Sequence, residues 1–230
     1  YTVDAVLDLG VPGTLTFFTA LGNNGNLALG SATPATLFSA LPAGLSVLAG
    51  LPTGLPVTGG FPPFVYRAVV ALSDPLTPSG FTAPLSEVFK RGAYRAQETV
   101  TGFYTFPAPL LPANGATWVD RTLRWGTLNR TDGLLTVEVA RVVTVGPQGP
   151  VLEPTWKVVL PGAESQVRIP DASGSGVVAG PVAQLDHVWQ LQAVTVSPQE
   201  TFSYNSHVNS VLEPAHLDAR LLADPQLFVP

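Results

Sequence analysis

Proline and glycine divide this sequence into short apolar runs, and their spacing limits what the chain can fold into. The two residue types supply 23 and 22 of the 230 positions, and they separate apolar runs at intervals of roughly ten residues. Proline breaks helices, and both residue types favour tight turns, so long helices are disfavoured. The pattern predicts many short strands joined by turns, which is an all-β fold.

Alternation of side-chain character identifies the candidate strands. In the run 134–145, Leu135, Val137 and Val139 fall on one face, while Thr136 and Glu138 fall on the other. A period of two is typical of a strand, because successive side chains point to opposite faces of a sheet. The candidate strands are residues 2–9, 14–21, 27–30, 45–48, 65–72, 98–106, 117–125, 134–145, 155–160, 166–169, 187–196 and 201–208.

Two segments have a spacing that favours a short helix. In residues 84–97, Leu85, Val88 and Phe89 lie at helical intervals, and residues 210–223 carry a similar set of leucines. Proline at position 214 is compatible with the first turn of a helix, where its fixed φ is tolerated. We expect at most a helical turn or two in each segment.

The distribution of charge suggests two domains. Residues 106–115, "FPAPLLPANG", are uncharged and rich in proline, and nine charged residues precede Gly115 whereas eighteen follow it. This shift predicts two β-sandwich domains: an irregular, charge-poor β domain over residues 1–112 and a second sandwich over residues 113–208. Residues 209–230 would form a C-terminal tail. One large sandwich with a long connecting loop is the alternative.

The second half resembles a fibronectin type III or related immunoglobulin-like module over about residues 117–208. Four stretches carry the resemblance in order: "RTLRWGTLN", "LLTVEVARVV", "TWKVVLPGAESQVRIPD" and "HVWQLQAVTV". The resemblance implies a β-sandwich whose Trp125 and Trp189 pack in the core. It implies no activity, because this fold hosts many functions.

A long charge-free region precedes that module. No Asp, Glu, Lys or Arg occurs between Asp8 and Arg67. A membrane-spanning helix needs about 20 consecutive apolar residues, but prolines at 42, 52, 56, 62 and 63 interrupt this region. The copies "LPAGL" and "LPTGL" inside it are typical of turns. Since interface cores are depleted in charge, residues 9–66 are predicted to be internal core or a surface covered by a partner.

Motifs for catalysis and metal binding are sparse. The sequence has no cysteine, which excludes disulfides, thiolate metal sites and a cysteine nucleophile. His207, Glu213 and His216 are the weak candidates for a metal site, although their spacing matches neither HxH nor HExxH. No nucleophile elbow or nucleotide-binding loop is present. We therefore predict no catalytic residue and no cofactor, and keep a divergent metal-dependent hydrolase as the third hypothesis.

Two aromatic stretches offer candidate interaction residues. "FPPFVY" and "GFYTF" could form a platform that stacks on sugars or docks a peptide, or they could lie in the core. The first role would make the chain a carbohydrate-binding module or adhesin, which is the second hypothesis for its function. Together with two leucines of the charge-free region, the candidate interaction surface consists of Leu51, Leu55, Phe61, Phe64, Tyr66, Phe103 and Tyr104.

Charge and composition also restrict the partners and the compartment. The formal net charge is −5 and no basic run occurs, so neither nucleic acid nor an anionic membrane surface is an expected partner. The sequence lacks methionine even at position 1, so we expect Tyr1 to follow a removed signal peptide, and a lipid anchor upstream is possible. Nine arginines against two lysines suggest a GC-rich bacterial genome.

These features lead to one leading hypothesis for function. We expect a non-catalytic, extracytoplasmic structural or accessory subunit of a bacterial cell envelope assembly, or a secreted one. Its partners would be other envelope proteins, with a glycan as the alternative ligand. The contact would form through a charge-poor β surface, because such a surface loses little favourable hydration when it is covered.

Overall fold

The computed structural model describes residues 2–22, 27–32, 40–52, 64–92, 103–113, 115–146, 149–170, 187–196 and 217–228. These residues form fifteen strands and no helix, so the all-β prediction is confirmed. The strands are β1 Thr2–Leu9, β2 Gly13–Gly22, β3 Leu27–Ala32, β4 Ala40–Leu41, β5 Gly44–Pro52, β6 Phe64–Leu72, β7 Leu85–Gly92, β8 Phe103–Thr105, β9 Thr117–Val119, β10 Thr122–Arg124, β11 Gly133–Gly146, β12 Gly149–Pro161, β13 Gln166–Arg168, β14 His187–Val196 and β15 Leu217–Phe228.

The strands form one large sheet and two small ones. The large sheet has nine strands in the order β12–β11–β14–β15–β7–β6–β2–β3, with β4 also paired to β2. The small sheets have the orders β5–β1–β8 and β13–β10–β9. Every pairing is antiparallel except that of β1 with β8, which is parallel.

Strand β15 joins the two parts of the large sheet. It lies between β14 and β7 and pairs antiparallel with both. The sequence placed residues 217–228 in a C-terminal tail, but they occupy the middle of the sheet. The sheet therefore runs through all three intervals into which the sequence was divided.

The main core lies between one face of the large sheet and the two small sheets. Strand β1 contributes Leu7 and Leu9, β10 contributes Leu123, and the large sheet contributes Phe18 and Leu135 to one continuous cluster. The two small sheets thus cover one face of the large sheet, which is a sandwich arrangement.

Two tryptophans pack together in this core. Trp125 follows β10 and Trp189 lies in β14, and their rings stack with centroids 5.7 Å apart. Both side chains are buried, as the resemblance to the fibronectin type III module implied. The resemblance itself stays a prediction.

The uncharged segment that suggested a domain boundary is packed against the core. Phe106, Leu110 and Ala113 are buried in the main cluster. The Asn129 side chain fixes the segment, because its Nδ2 donates to the Pro109 carbonyl at 2.9 Å and its Oδ1 accepts from the Leu111 amide at 3.0 Å. This connection lacks the exposure that is typical of a linker between domains.

The prediction of helical turns in residues 84–97 and 210–223 is wrong for the described residues. Strand β7 covers Leu85–Gly92, and β15 begins at Leu217. The apolar spacing misled because β7 is buried on both faces: Val88 lies in the main core, and Phe89 lies in a second cluster on the opposite face. A strand buried on both sides loses the alternation that marks strands in sequence.

The predicted strand 117–125 is two strands joined by a tight turn. Asp120 and Arg121 have φ values of 48° and 64°, and Val119 pairs with Thr122 across the turn. The sequence there has no glycine, proline or asparagine to signal it. Of the other predicted strands, 201–208 lies outside the described residues, and 98–106 is described only from 103, where β8 covers Phe103–Thr105.

Candidate functional site: the open edge of strand β5

Strand β5 presents apolar side chains to solvent. Ser46 and Leu51 are buried, whereas Leu45 is 68% exposed and Val47 is 57% exposed. Strand β1 pairs with one edge of β5, and no strand among the described residues pairs with the other edge. Within the described part of the chain, β5 thus combines an edge with which no strand pairs and an apolar outer face, and β3 approaches β5 without pairing with it.

A bulge limits the regular part of this edge. Ala5 pairs with Leu48 and Val3 pairs with Leu51, so two residues of β5 oppose the single Asp4. Gly50 has a φ of 67° there, and its amide donates to Asp4 Oδ1 at 2.8 Å. Because a bulge bends the strand and disrupts pairing, the regular edge covers residues 44–48. We call residues 44–48 the β5 edge.

Strand β12, which lies at one end of the large sheet, has a different kind of edge. It contains Pro150, Pro154 and Pro161, and it also carries Glu153 and Lys157. Proline lacks an amide donor, and charged side chains oppose burial, so both features discourage pairing with another chain. The β5 edge has neither proline nor charge. Of these two edges, β5 is the one suited to receiving another strand.

The chemistry of the β5 edge is suited to binding. Its backbone amides and carbonyls can pair with an extended segment, and its apolar side chains can contact that segment's own side chains. It contains no Asp, Glu, His, Lys, Arg or Cys, and its one hydroxyl, that of Ser46, is buried. The geometry fits an uncharged, extended polypeptide.

A charged cluster crosses the large sheet on the face opposite the main core. Glu87 of β7 is fully buried and is bonded by Arg67 of β6 and Arg220 of β15. Nε of Arg220 donates to Glu87 Oε2 at 2.6 Å. The guanidinium of Arg67 lies 5.8 Å from the ring centroid of Phe17, and that of Arg220 lies 6.0 Å from the centroid of Phe89.

This cluster is better suited to structure than to catalysis. Both carboxylate oxygens of Glu87 accept from guanidinium groups, so neither is free to take a proton from a substrate. The two arginines come from the strands on either side of β7. The cluster therefore fixes the relative positions of three strands in the sheet.

A second ion cluster ties β15 to the loop before β11. Arg130 pairs with Asp132 at 3.0 Å and with Asp218 of β15. Burial acts to lower the pKa of Arg130, but the hydrogen bonds and charges of Asp132 and Asp218 outweigh burial and raise this pKa above its usual value. Arg130 therefore remains a cation wherever the chain is folded.

The structure places two of the predicted interaction residues in the core. Leu51 is 4% exposed and Tyr66 is 2% exposed, and Tyr66 stacks on Phe18 with centroids 5.8 Å apart. Neither side chain is accessible to a partner. The other candidates have no described side chain. For Phe64 in β6, and for Phe103 and Tyr104 in β8, only the backbone is described. Leu55 and Phe61 lie outside the described residues.

Sequence reasoning missed the exposure of Leu45 and Val47. Alternation in "GLSVL" correctly indicated a strand, but polarity suggested the wrong orientation. The polar Ser46 faces inward, opposite Leu7, while the two larger apolar residues face solvent. The signal that could have shown this orientation is side-chain size, because the small Ser46 fits where β5 packs against the core.

The weak metal candidates His207, Glu213 and His216 lie outside the described residues. Among the residues that are described, no three or more His, Cys, Asp or Glu side chains come together as a metal site. The same part of the chain contains no helix long and apolar enough to cross a membrane.

Comparison of the chain with protein-family models, with curated proteins and with solved structures finds no match in any of the three. The β5 edge is therefore identified from its geometry and chemistry alone.

Proposed function

We propose that the chain is a non-catalytic structural or accessory subunit of an extracytoplasmic assembly in a bacterial cell envelope, and that it joins this assembly through the β5 edge. The observation that carries the proposal is the uncharged β5 edge, with which no described strand pairs and on which Leu45 and Val47 are 68% and 57% exposed. Natural proteins usually protect such edges with proline, charge or a cover.

The energetics favour a strand-like partner. Covering a large aliphatic side chain completely contributes about 1.5–3 kcal/mol to binding. Because Leu45 and Val47 are more than half exposed, a partner that covers them would gain most of this free energy. Pairing also satisfies backbone amides and carbonyls on both chains. Since the β5 edge carries no charge, its burial has no ionic desolvation cost.

The extracytoplasmic location is supported by composition. The chain lacks cysteine and methionine, and charged residues make up only 12% of it. The carbohydrate-binding alternative has less support, because the buried Tyr66 cannot belong to a sugar-stacking platform. The hydrolase alternative depends on His207 and His216, which lie outside the described residues.

The test introduces a charge at the centre of the β5 edge. When the cells that produce the protein are fractionated, we expect the wild type to sediment with the envelope fraction. We expect Val47→Lys to be released from that fraction, because burying the lysine ammonium in the interface without a counter-charge is costly. Val151→Lys is the matched control, since Val151 is also a valine on a strand and is 53% exposed. Immunoblotting of gradient fractions measures the distribution.

Val151→Lys should remain with the envelope fraction. Circular dichroism of both purified variants should match the wild type, which would exclude misfolding as the cause of release. Recovery of the wild type as a free monomer in the soluble fraction would contradict the proposal. Equal behaviour of the two lysine variants would also contradict it.

A further inference from the structure

Strand β15 occupies a slot that the rest of the chain forms between β14 and β7. Ala219 pairs with Thr195 on one side and with Val88 on the other. Leu221 pairs likewise with Ala193 and Ser86. Both backbone edges of β15 are thus used, and removing it would leave two unpaired strand edges inside the sheet.

Apolar side chains fix how β15 sits in the slot. Ala219 and Leu221 are fully buried in the main core, and Leu217 is buried in the second cluster with Val65 and Phe89. The amide of Ala219 also donates to Thr195 Oγ1 at 3.1 Å. A slip of one residue would place Asp218 or Arg220 at the position where Ala219 is now buried.

Charge makes the slot selective. Glu87 is fully buried on β7 and receives Arg220 from β15, while Arg130 on the other side receives Asp218. A strand without the arginine would leave the buried Glu87 with Arg67 alone, and a strand without the aspartate would leave Arg130 with Asp132 alone. Either loss removes one ion pair from a buried or half-buried cluster, which is destabilising. The slot therefore accepts a strand with aspartate and arginine two residues apart between apolar residues.

We propose that a second copy of this chain can supply that strand: β15 of one copy enters the β14–β7 slot of another, and the two copies exchange strands. Exchange re-forms the same hydrogen bonds, apolar contacts and ion pairs between chains, so it has little energetic cost beyond association. The strand is joined to β14 through residues 197–216, a length that spans at most roughly 65 Å when extended. The inference does not depend on the β5 edge.

The first test uses the absence of cysteine. Val88 and Ala219 are paired across β7 and β15, and both are buried, so thiols at these positions meet only if β15 is seated. The chains Val88→Cys and Ala219→Cys are unfolded, mixed, refolded together at high concentration and oxidised. Exchange predicts a disulfide-linked dimer with one chain of each kind, measured by mass spectrometry after non-reducing electrophoresis.

Two controls make this result specific. The double variant in one chain, refolded at low concentration, should form the disulfide within the monomer, which checks the geometry. Val88→Cys mixed with Leu45→Cys should give only background cross-linking, because Leu45 is exposed and β5 belongs to a different sheet from β7. A Val88–Ala219 dimer yield no higher than this background would overturn the proposal.

The second test exchanges the charges. Glu87→Arg puts three guanidinium groups together in its own slot, and Arg220→Glu brings a second carboxylate to Glu87. Exchange between these two chains restores one carboxylate with two guanidinium groups in both slots. We expect each variant to refold poorly alone, and their mixture to yield a dimer of twice the 24.0 kDa chain mass, measured by light scattering. A mixture that behaves as the sum of its components would refute exchange.

Discussion

The turn between β9 and β10 shows how a single side chain can impose a conformation that its sequence does not favour. Asp120 and Arg121 both have positive φ, which costs roughly 1–2 kcal/mol for a residue with a side chain, and less for aspartate. Arg121 is held there because its Nε donates to the Ile169 carbonyl at 3.1 Å and its Nη2 donates to the Pro170 carbonyl. These partners are distant in sequence, so no local motif could have revealed the turn.

This arrangement predicts opposite effects for two neighbouring substitutions. Asp120→Gly relieves the backbone strain and should raise the free energy of unfolding by up to about 1 kcal/mol. Arg121→Ala keeps the strain but removes both side-chain hydrogen bonds, and it should lower the free energy of unfolding by about 1–2 kcal/mol. Urea denaturation followed by fluorescence measures both changes. The same sign for both variants would be incompatible with this account of the turn.

At the scale of strands, the sequence predicted most elements and misassigned those whose packing is unusual. Strands β1 and β14 were predicted with their observed bounds, because each is apolar at alternate positions. Strand β5 was found, but its orientation was not, since Ser46 is buried and Leu45 is exposed. Strand β7 was missed because burial on both faces hides the period of two. Strand β15 was missed although Leu217, Ala219 and Leu221 alternate with charged residues, since its leucines also lie at helical intervals.

The cluster around Glu87 gives a prediction for the centre of the large sheet. Arg220→Met keeps much of the apolar contact with Phe89 but leaves the buried Glu87 with Arg67 alone. Breaking a buried ion pair by removing one partner typically costs 3–5 kcal/mol, and since Arg67 remains we expect a loss near the lower limit, about 3 kcal/mol. Thermal and urea unfolding measure it.

The control for this prediction is an exposed ion pair. Lys157 is on the edge strand β12, and its Nζ lies 3.8 Å from Oε2 of Glu138 on β11. The Lys157 side chain is 62% exposed. Such pairs contribute little because water screens them, so Lys157→Met should change the free energy of unfolding by no more than about 0.5 kcal/mol. A comparable loss in the two variants would mean that the Glu87 cluster has no special role in stability.

At the scale of the whole molecule, the sequence could not reveal how its two halves meet. The division near residue 112 followed from composition and from the resemblance in the second half, and both are local properties. One contact that joins the halves is the pairing of β15 with β7, for example Ala219 with Val88. Pairing between strands so distant in sequence depends on the fit of complete surfaces, as with Arg220 and Glu87, and leaves no short-range pattern.

Because the sheet and the main core extend through both halves, we expect the chain to unfold in one cooperative transition. All four tryptophans lie after position 117, so tryptophan fluorescence reports on the second half alone. Leu7→Ala changes the first half, where Leu7 is fully buried, and should cost about 3 kcal/mol. If the halves unfold together, Leu7→Ala should lower the fluorescence midpoint by roughly 6–12 °C.

Leu135→Ala in the second half is the matched variant, and calorimetry should show one peak for each protein. Two peaks, with Leu7→Ala leaving the fluorescence midpoint in place, would instead establish two independent domains.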